Sequence, residues 1–151
     1  MFGSIRDFLH DRLGGPDPSA QAEGPSSVEL AAAVLMIEIS LADSSLEEEE
    51  RRVIETALQQ EFGLSEPAAL ALIDSAERAV DRATSLYDFT RLINDEMTRE
   101  EKIHVIRRLW EVAFADAVLD KYEEYYIRKI ADLLYVPHNL LMREKYRAAG
   151  N

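Results

Sequence analysis

The chain contains a duplication. The stretch Glu38-Ile39-Ser40-Leu41-Ala42-Asp43-Ser44-Ser45-Leu46-Glu47 returns 73 residues later as Glu111-Val112-Ala113-Phe114-Ala115-Asp116-Ala117-Val118-Leu119-Asp120. Each copy reads Ala-Asp-x-x-Leu-acid-x-x-Glu, closing on Glu50 in the first and Glu123 in the second. The correspondence runs on through Ile54 with Ile127 and Ala57 with Ile130. Internal repeats of one supersecondary unit bury their apolar faces against each other. The expected result is a compact bundle of two pseudo-symmetric halves, in which the carboxylates of both corners meet at one site.

The local patterns are helical throughout. Ser26-x-x-Glu29 is a capping box, and Leu30, Val34, Ile37 and Leu41 fall on one face of the run that follows and ends near Asp43. Ser45-x-x-Glu48 starts the next helix, with Leu46, Val53, Ile54, Ala57 and Leu58 inward and Gly63 as a left-handed stop. Ser65 with Pro67 opens a third helix to about Arg82, and Thr84 or Ser85 opens a fourth ending near Glu96. Thr98-x-x-Glu101 begins a fifth, with Val105, Ile106, Leu109, Val112 and Ala113 inward, ending at Asp116. Asp120-x-x-Glu123 opens a sixth that buries Tyr126, Ile127, Ile130 and Leu134, and Pro137 a last one through about Arg147. With no period-2 alternation and no hairpin turn signal, the fold class is all-α, a bundle of about seven helices.

Ahead of that domain, taken as residues 28–147, Phe2, Ile5, Phe8, Leu9 and Leu13 make residues 1–13 a short amphipathic helix, and the Gly- and Pro-rich residues 14–27 a flexible linker. The mixed charges of Arg6, Asp7, Asp11 and Arg12 favour docking on protein over lying on a membrane. The 29 acids against 17 lysines and arginines give a net charge of −12, which repels phosphate backbones and makes nucleic acid a poor partner. Leu30–Leu41 is interrupted by Glu38 and Ser40 and is shorter than the roughly 18 apolar residues of a membrane span. Met1–Leu13 lacks the unbroken apolar core of a signal peptide, so a cytoplasmic location is expected. The absence of Cys removes disulfide and thiolate chemistry.

The chemistry concentrates at the corners. Asp43 and Asp116 each close a helix, where the macrodipole disfavours a carboxylate, and each precedes a helix whose free N–H groups can compensate it. Glu47 and Glu50, like Asp120 and Glu123, lie i and i+3 on one face above that aspartate. Oxygen ligands of this kind suit Ca²⁺ or Mg²⁺. The competing reading is that the acids are helix caps with no ligand.

These paired corners resemble the tellurite-resistance protein TerB family over residues 28–147. The resemblance implies an all-helical domain of two pseudo-symmetric halves with a stress-linked role, no established catalysis, and clustered acids suspected of binding metal. Carried over, it points to Asp43, Glu47, Glu50, Asp116, Asp120 and Glu123. Ser44 and Ala117 stand where the family usually has glycine.

The remaining features are plainer. Glu47-Glu48-Glu49-Glu50 reads as a solvated helix face before a docking patch for a basic protein. Glu38 and Glu111, on mostly apolar helices, need partners, with Arg107 and Arg108 as candidates. His10, His104 and His138 have no ligand spacing, Trp110 is expected to pack in the core, and Tyr122, Tyr125, Tyr126 and Tyr135 in the core or at its rim. No nucleophile elbow or phosphate loop is present, so the expected function is a non-catalytic binding or sensing module. Alternatives are an interaction domain without metal and a metal-dependent hydrolase.

Overall fold

The computed structural model describes residues 27–41, 46–82, 86–115 and 121–150. Those residues form seven helices and no strand: α1 Ser27–Leu41, α2 Glu48–Phe62, α3 Glu66–Arg82, α4 Leu86–Glu96, α5 Arg99–Ala113, α6 Lys121–Leu133 and α7 His138–Gly150. The expected all-α bundle is thus the observed fold. The amphipathic segment 1–13 and the linker up to residue 26 lie outside the described residues, while Ser27, assigned to the linker, is the first residue of α1.

The duplication spans three helices in each half, since a 73-residue shift lays α1, α2 and α3 on α5, α6 and α7. Packing follows the same order. α1 packs most against α3, and α5 packs most against α7, with α2 and α6 as the lesser partner in each half. α4 stands between the halves in sequence and packs on α1 and α6. The halves join where α5 crosses α1 and α2.

Local chemistry sets the helix ends. Thr98 accepts from the Glu101 N–H at 3.1 Å while Glu101 reaches back to the Thr98 N–H at 2.8 Å, the capping box expected from the sequence. Ser65 Oγ accepts from the Ala68 N–H at 3.3 Å, with Pro67 held in the first turn of α3. Gly63 closes α2 at φ 67°. α6 stops differently: Tyr135 takes φ 61°, its N–H bonds Asp132 O at 3.1 Å, and the Val136 N–H bonds Ala131 O at 2.9 Å. That is a Schellman motif with an aromatic residue in the glycine position.

Two expectations need correcting. α1 buries more than the one face marked by Leu30, Val34, Ile37 and Leu41: Leu30 through Ile37, Ile39 and Ser40 are all buried, because α1 is surrounded by α3, α4, α5 and α2. A helix apolar on nearly every side belongs at the centre of a domain. Tyr122, Tyr125 and Tyr135 are exposed, and of the four tyrosines assigned to the core or its rim only Tyr126 packs against the core, where Tyr125 meets it edge-on. Trp110 does occupy the core, fully buried, with its indole N–H donating to Leu141 O at 3.1 Å and its ring stacked on Phe114.

Candidate functional site

The first corner is framed by the end of α1 at Leu41 and the start of α2 at Glu48. Asp43, with Ser44 and Ser45, lies outside the described residues, as do Asp116 and Asp120 of the second corner. The three glutamates of the candidate set are described, and they differ.

Glu47 is the N-cap of α2, in extended conformation with φ −79° and ψ 160°, and it is exposed. Its N–H donates to Glu50 Oε1 at 2.9 Å. The helix therefore starts three residues after Ser45, and the capping pair is Glu47 with Glu50, not Ser45 with Glu48. A carboxylate accepts the orphan N–H as well as a hydroxyl does, with the dipole in its favour.

Glu50 is only 2% exposed although it sits in a run of four glutamates. Glu48 and Glu49 beside it are exposed, as a solvated face requires. Glu123 occupies the equivalent position, third in α6, and is also 2% exposed. The duplication thus conserves burial of an ionisable group, which apolar packing alone would not select. Ser40, a turn before Asp43, is fully buried, and its hydroxyl has no hydrogen-bond partner among the described residues. Unmatched buried hydroxyls are uncommon and call for an explanation.

Further up the two helices, Glu38 and Glu111 have separated in role. Glu111 takes Arg108 at 3.0 Å and Arg107 at 3.4 Å, the partners considered from sequence. Burial lowers the affinity of Arg108 for its proton, but its bonds to Glu61 and Glu111 outweigh this and raise its pKa. Glu38 is half-buried with no ion pair or hydrogen bond among the described residues, and desolvation pushes its pKa up. His104 lies 3.6 Å from Glu61 and, like His138, is at the surface.

Among the described residues no group of three or more His, Asp or Glu side chains is placed to hold a metal. What the described part contributes to a site is one buried carboxylate per half. The domain as a whole matches the family model described as tellurite resistance protein TerB over residues 29–145. The chain belongs to the TerB family. No curated protein and no solved structure gives a significant match. The TerB match covers all seven described helices, short only of the edges of α1 and α7.

Arg107 and Arg108 were candidates from sequence as partners of Glu111, but their convergence with three further arginines was not foreseen. Arg99, Arg107, Arg108, Arg143 and Arg147 line one cleft between α5 and α7. Their spacing held a signal, because Arg99 and Arg107 share a row of α5, and Arg143 and Arg147 are one turn apart on α7.

Proposed function

We propose that this TerB-family domain is a non-catalytic binding or sensing module that holds a divalent cation of the Ca²⁺ or Mg²⁺ type at its duplicated corners. The observation behind this reading is that Glu50 and Glu123, related by the repeat, are both withdrawn from water to the same degree. A buried carboxylate is costly unless hydrogen bonds or a cation compensate it. Hard oxygen donors are also the set these cations prefer.

The residues that would hold the ion are Asp43, Glu50, Asp116, Asp120 and Glu123, with Glu47 at the rim. Ser40 fits the same reading as a buried hydroxyl that finds no partner among the described residues, three positions before Asp43. A bound cation would supply attraction between the halves, coupling α2 to α6 and making the fold sensitive to ion concentration. By mass action, saturation at about a hundred times Kd adds about 2.7 kcal/mol of stability.

Calorimetric titration of Ca²⁺, Mg²⁺, Mn²⁺ and Zn²⁺ into the protein, and into Glu50→Gln with Glu123→Gln, tests the reading. Saturable heat with the parent and none with the double variant supports it. Silence from every ion with the parent protein rejects it. The second reading is then an interaction domain in which Glu50 serves as the cap acceptor of Glu47 without binding an ion, as the 2.9 Å bond allows. A basic protein partner would in that case meet the exposed Glu47, Glu48 and Glu49. Metal-dependent hydrolysis of a phosphoester would instead assign an enzyme.

A further inference from the structure

Charge is divided unevenly along the chain. Residues 1–98 hold 20 acids and 7 lysines and arginines, whereas residues 99–151 hold 9 acids and 10 bases. Half of those ten bases gather at one place. A cleft of about 840 Å³ runs between α5 and α7 with Gln60 at its edge, lined by Arg99, Arg107, Arg108, Arg143 and Arg147 and by the exposed His104. Three glutamates face the same space, Glu100, Glu111 and Glu144.

Pairing within the cleft leaves a cationic surplus. Glu144 is 2% exposed, and one of its oxygens accepts from Arg143 Nε at 2.9 Å and Arg147 Nη1 at 3.1 Å. Glu111 likewise serves both Arg107 and Arg108, and Glu61, beside the cleft, takes Arg108 Nε at 3.0 Å. Arg108 is thus held in place by carboxylates on two helices. Arg99 has no ion-pair partner among the described residues, and Arg107 meets Glu111 only through Nε at 3.4 Å. The Arg143 and Arg107 side chains keep 44% and 34% of their surface, so their donors are within reach of solvent.

We propose that this cleft binds a small soluble molecule through a phosphate or diphosphate group. Guanidinium forks match phosphate oxygens two at a time, and several forks converge here on one concave surface. The volume falls within the roughly 300–1,000 Å³ typical of small-molecule sites. A second hollow of about 430 Å³ adjoins it, sharing Gln60, Arg107, Glu111 and Arg147, and presents Val53, Ala57 and Phe114. It offers a place for the uncharged body of the ligand. The net charge of −12 opposes long polyanions and anionic membranes, which meet the whole surface, more than it opposes a small anion that enters only the cleft.

The test is calorimetric titration of inorganic pyrophosphate and, separately, of ADP into the full chain at low and at physiological salt. Arg99→Gln with Arg107→Gln removes two donors that no buried acid depends on solely, and circular dichroism checks that its helices persist. Arg91→Gln with Lys129→Gln, two exposed changes on α4 and α6 that together remove the same charge, is the control. Saturable binding that weakens with salt, falls roughly tenfold or more in the double variant and holds in the control is the expected result. Absence of binding by both probes overturns the proposal, as does an equal loss in the Arg91 and Lys129 control, which would reduce the effect to overall charge.

Discussion

α1 and α5 descend from the same segment of the repeat, yet one is sealed and the other keeps a face at water. Val34 and Leu35 of α1 correspond to Arg107 and Arg108 of α5, and Ala31 corresponds to His104. α1 is packed by α4 and α5 as well as by its own α2 and α3, so its surface is apolar on nearly every side, with half-buried Glu38 the charged exception. α5 shares its length with α7, α1 and α2, and its remaining face carries guanidinium groups into a cleft. Duplication therefore preserved hairpin geometry and the buried glutamates while freeing one helix face to take on charge.

The sharpest way to break this comparison is to exchange residues across the repeat. Val34→Arg places an unpaired charge at the centre of the bundle and is expected to cost more than about 4 kcal/mol, which unfolds a typical domain of this size. The mirror change, Arg107→Val, should stay within about 1 kcal/mol, since it removes only a long ion pair at a half-exposed position. Urea denaturation of both variants measures the asymmetry. Similar losses in the two would show that α5 is sealed after all. Next in size, Trp110→Ala empties the largest fully buried side chain and removes the bond to Leu141 O, at an expected cost of about 3–5 kcal/mol.

How much of this could be read beforehand depended on the range of the interactions involved. Thr98 with Glu101 and Gly63 were legible because a cap is decided within one turn, and Trp110 because a large ring in an apolar helix has nowhere else to go. The start of α2 was misplaced, since Ser45 is the commoner cap type and the sequence offers Glu47 with equal spacing to Glu50. The face of α1 was drawn too narrowly because periodicity picks out Leu30, Val34 and Ile37 and is silent about alanines between them. The arginine cleft was legible only one helix at a time. Its residues come from two helices whose approach is set by tertiary packing, and spacing along one helix does not reveal what faces it.

The two second-helix stops differ by a smaller amount. Gly63 adopts φ 67° without strain, so Gly63→Ala should lose about 1 kcal/mol for backbone conformation alone, there being open space for the added carbon. Tyr135 already bears that strain at φ 61°. Part of it is offset by Lys102, whose Nζ sits 5.8 Å from the Tyr135 ring centre while bonding Asn94 Oδ1 at 3.0 Å. Tyr135→Gly is therefore expected to be neutral or to gain up to about 1 kcal/mol, measured by the same denaturation. A clear loss would mean that the exposed ring has a contact worth more than the strain.

Glu38 and Glu111 give the finest test, because they are one residue of the repeat in two surroundings. Glu38 has a pKa raised above the ordinary 4.5 by desolvation, so the folded state holds its proton more tightly than the unfolded chain does. Its contribution is then favourable below the unfolded pKa and is lost as pH rises through the folded value. Glu38→Gln keeps the uncharged shape at every pH, and should be slightly more stable than the parent at pH 7, with the advantage gone below about pH 4. Glu111→Gln should do the reverse at pH 7, losing up to about 1 kcal/mol as Arg107 and Arg108 give up their shared carboxylate. Urea midpoints for both variants at the two pH values decide it. If Glu38→Gln were destabilising at pH 7, Glu38 would have to have a partner beyond the described residues, and its carboxylate would belong with the paired Glu111 after all.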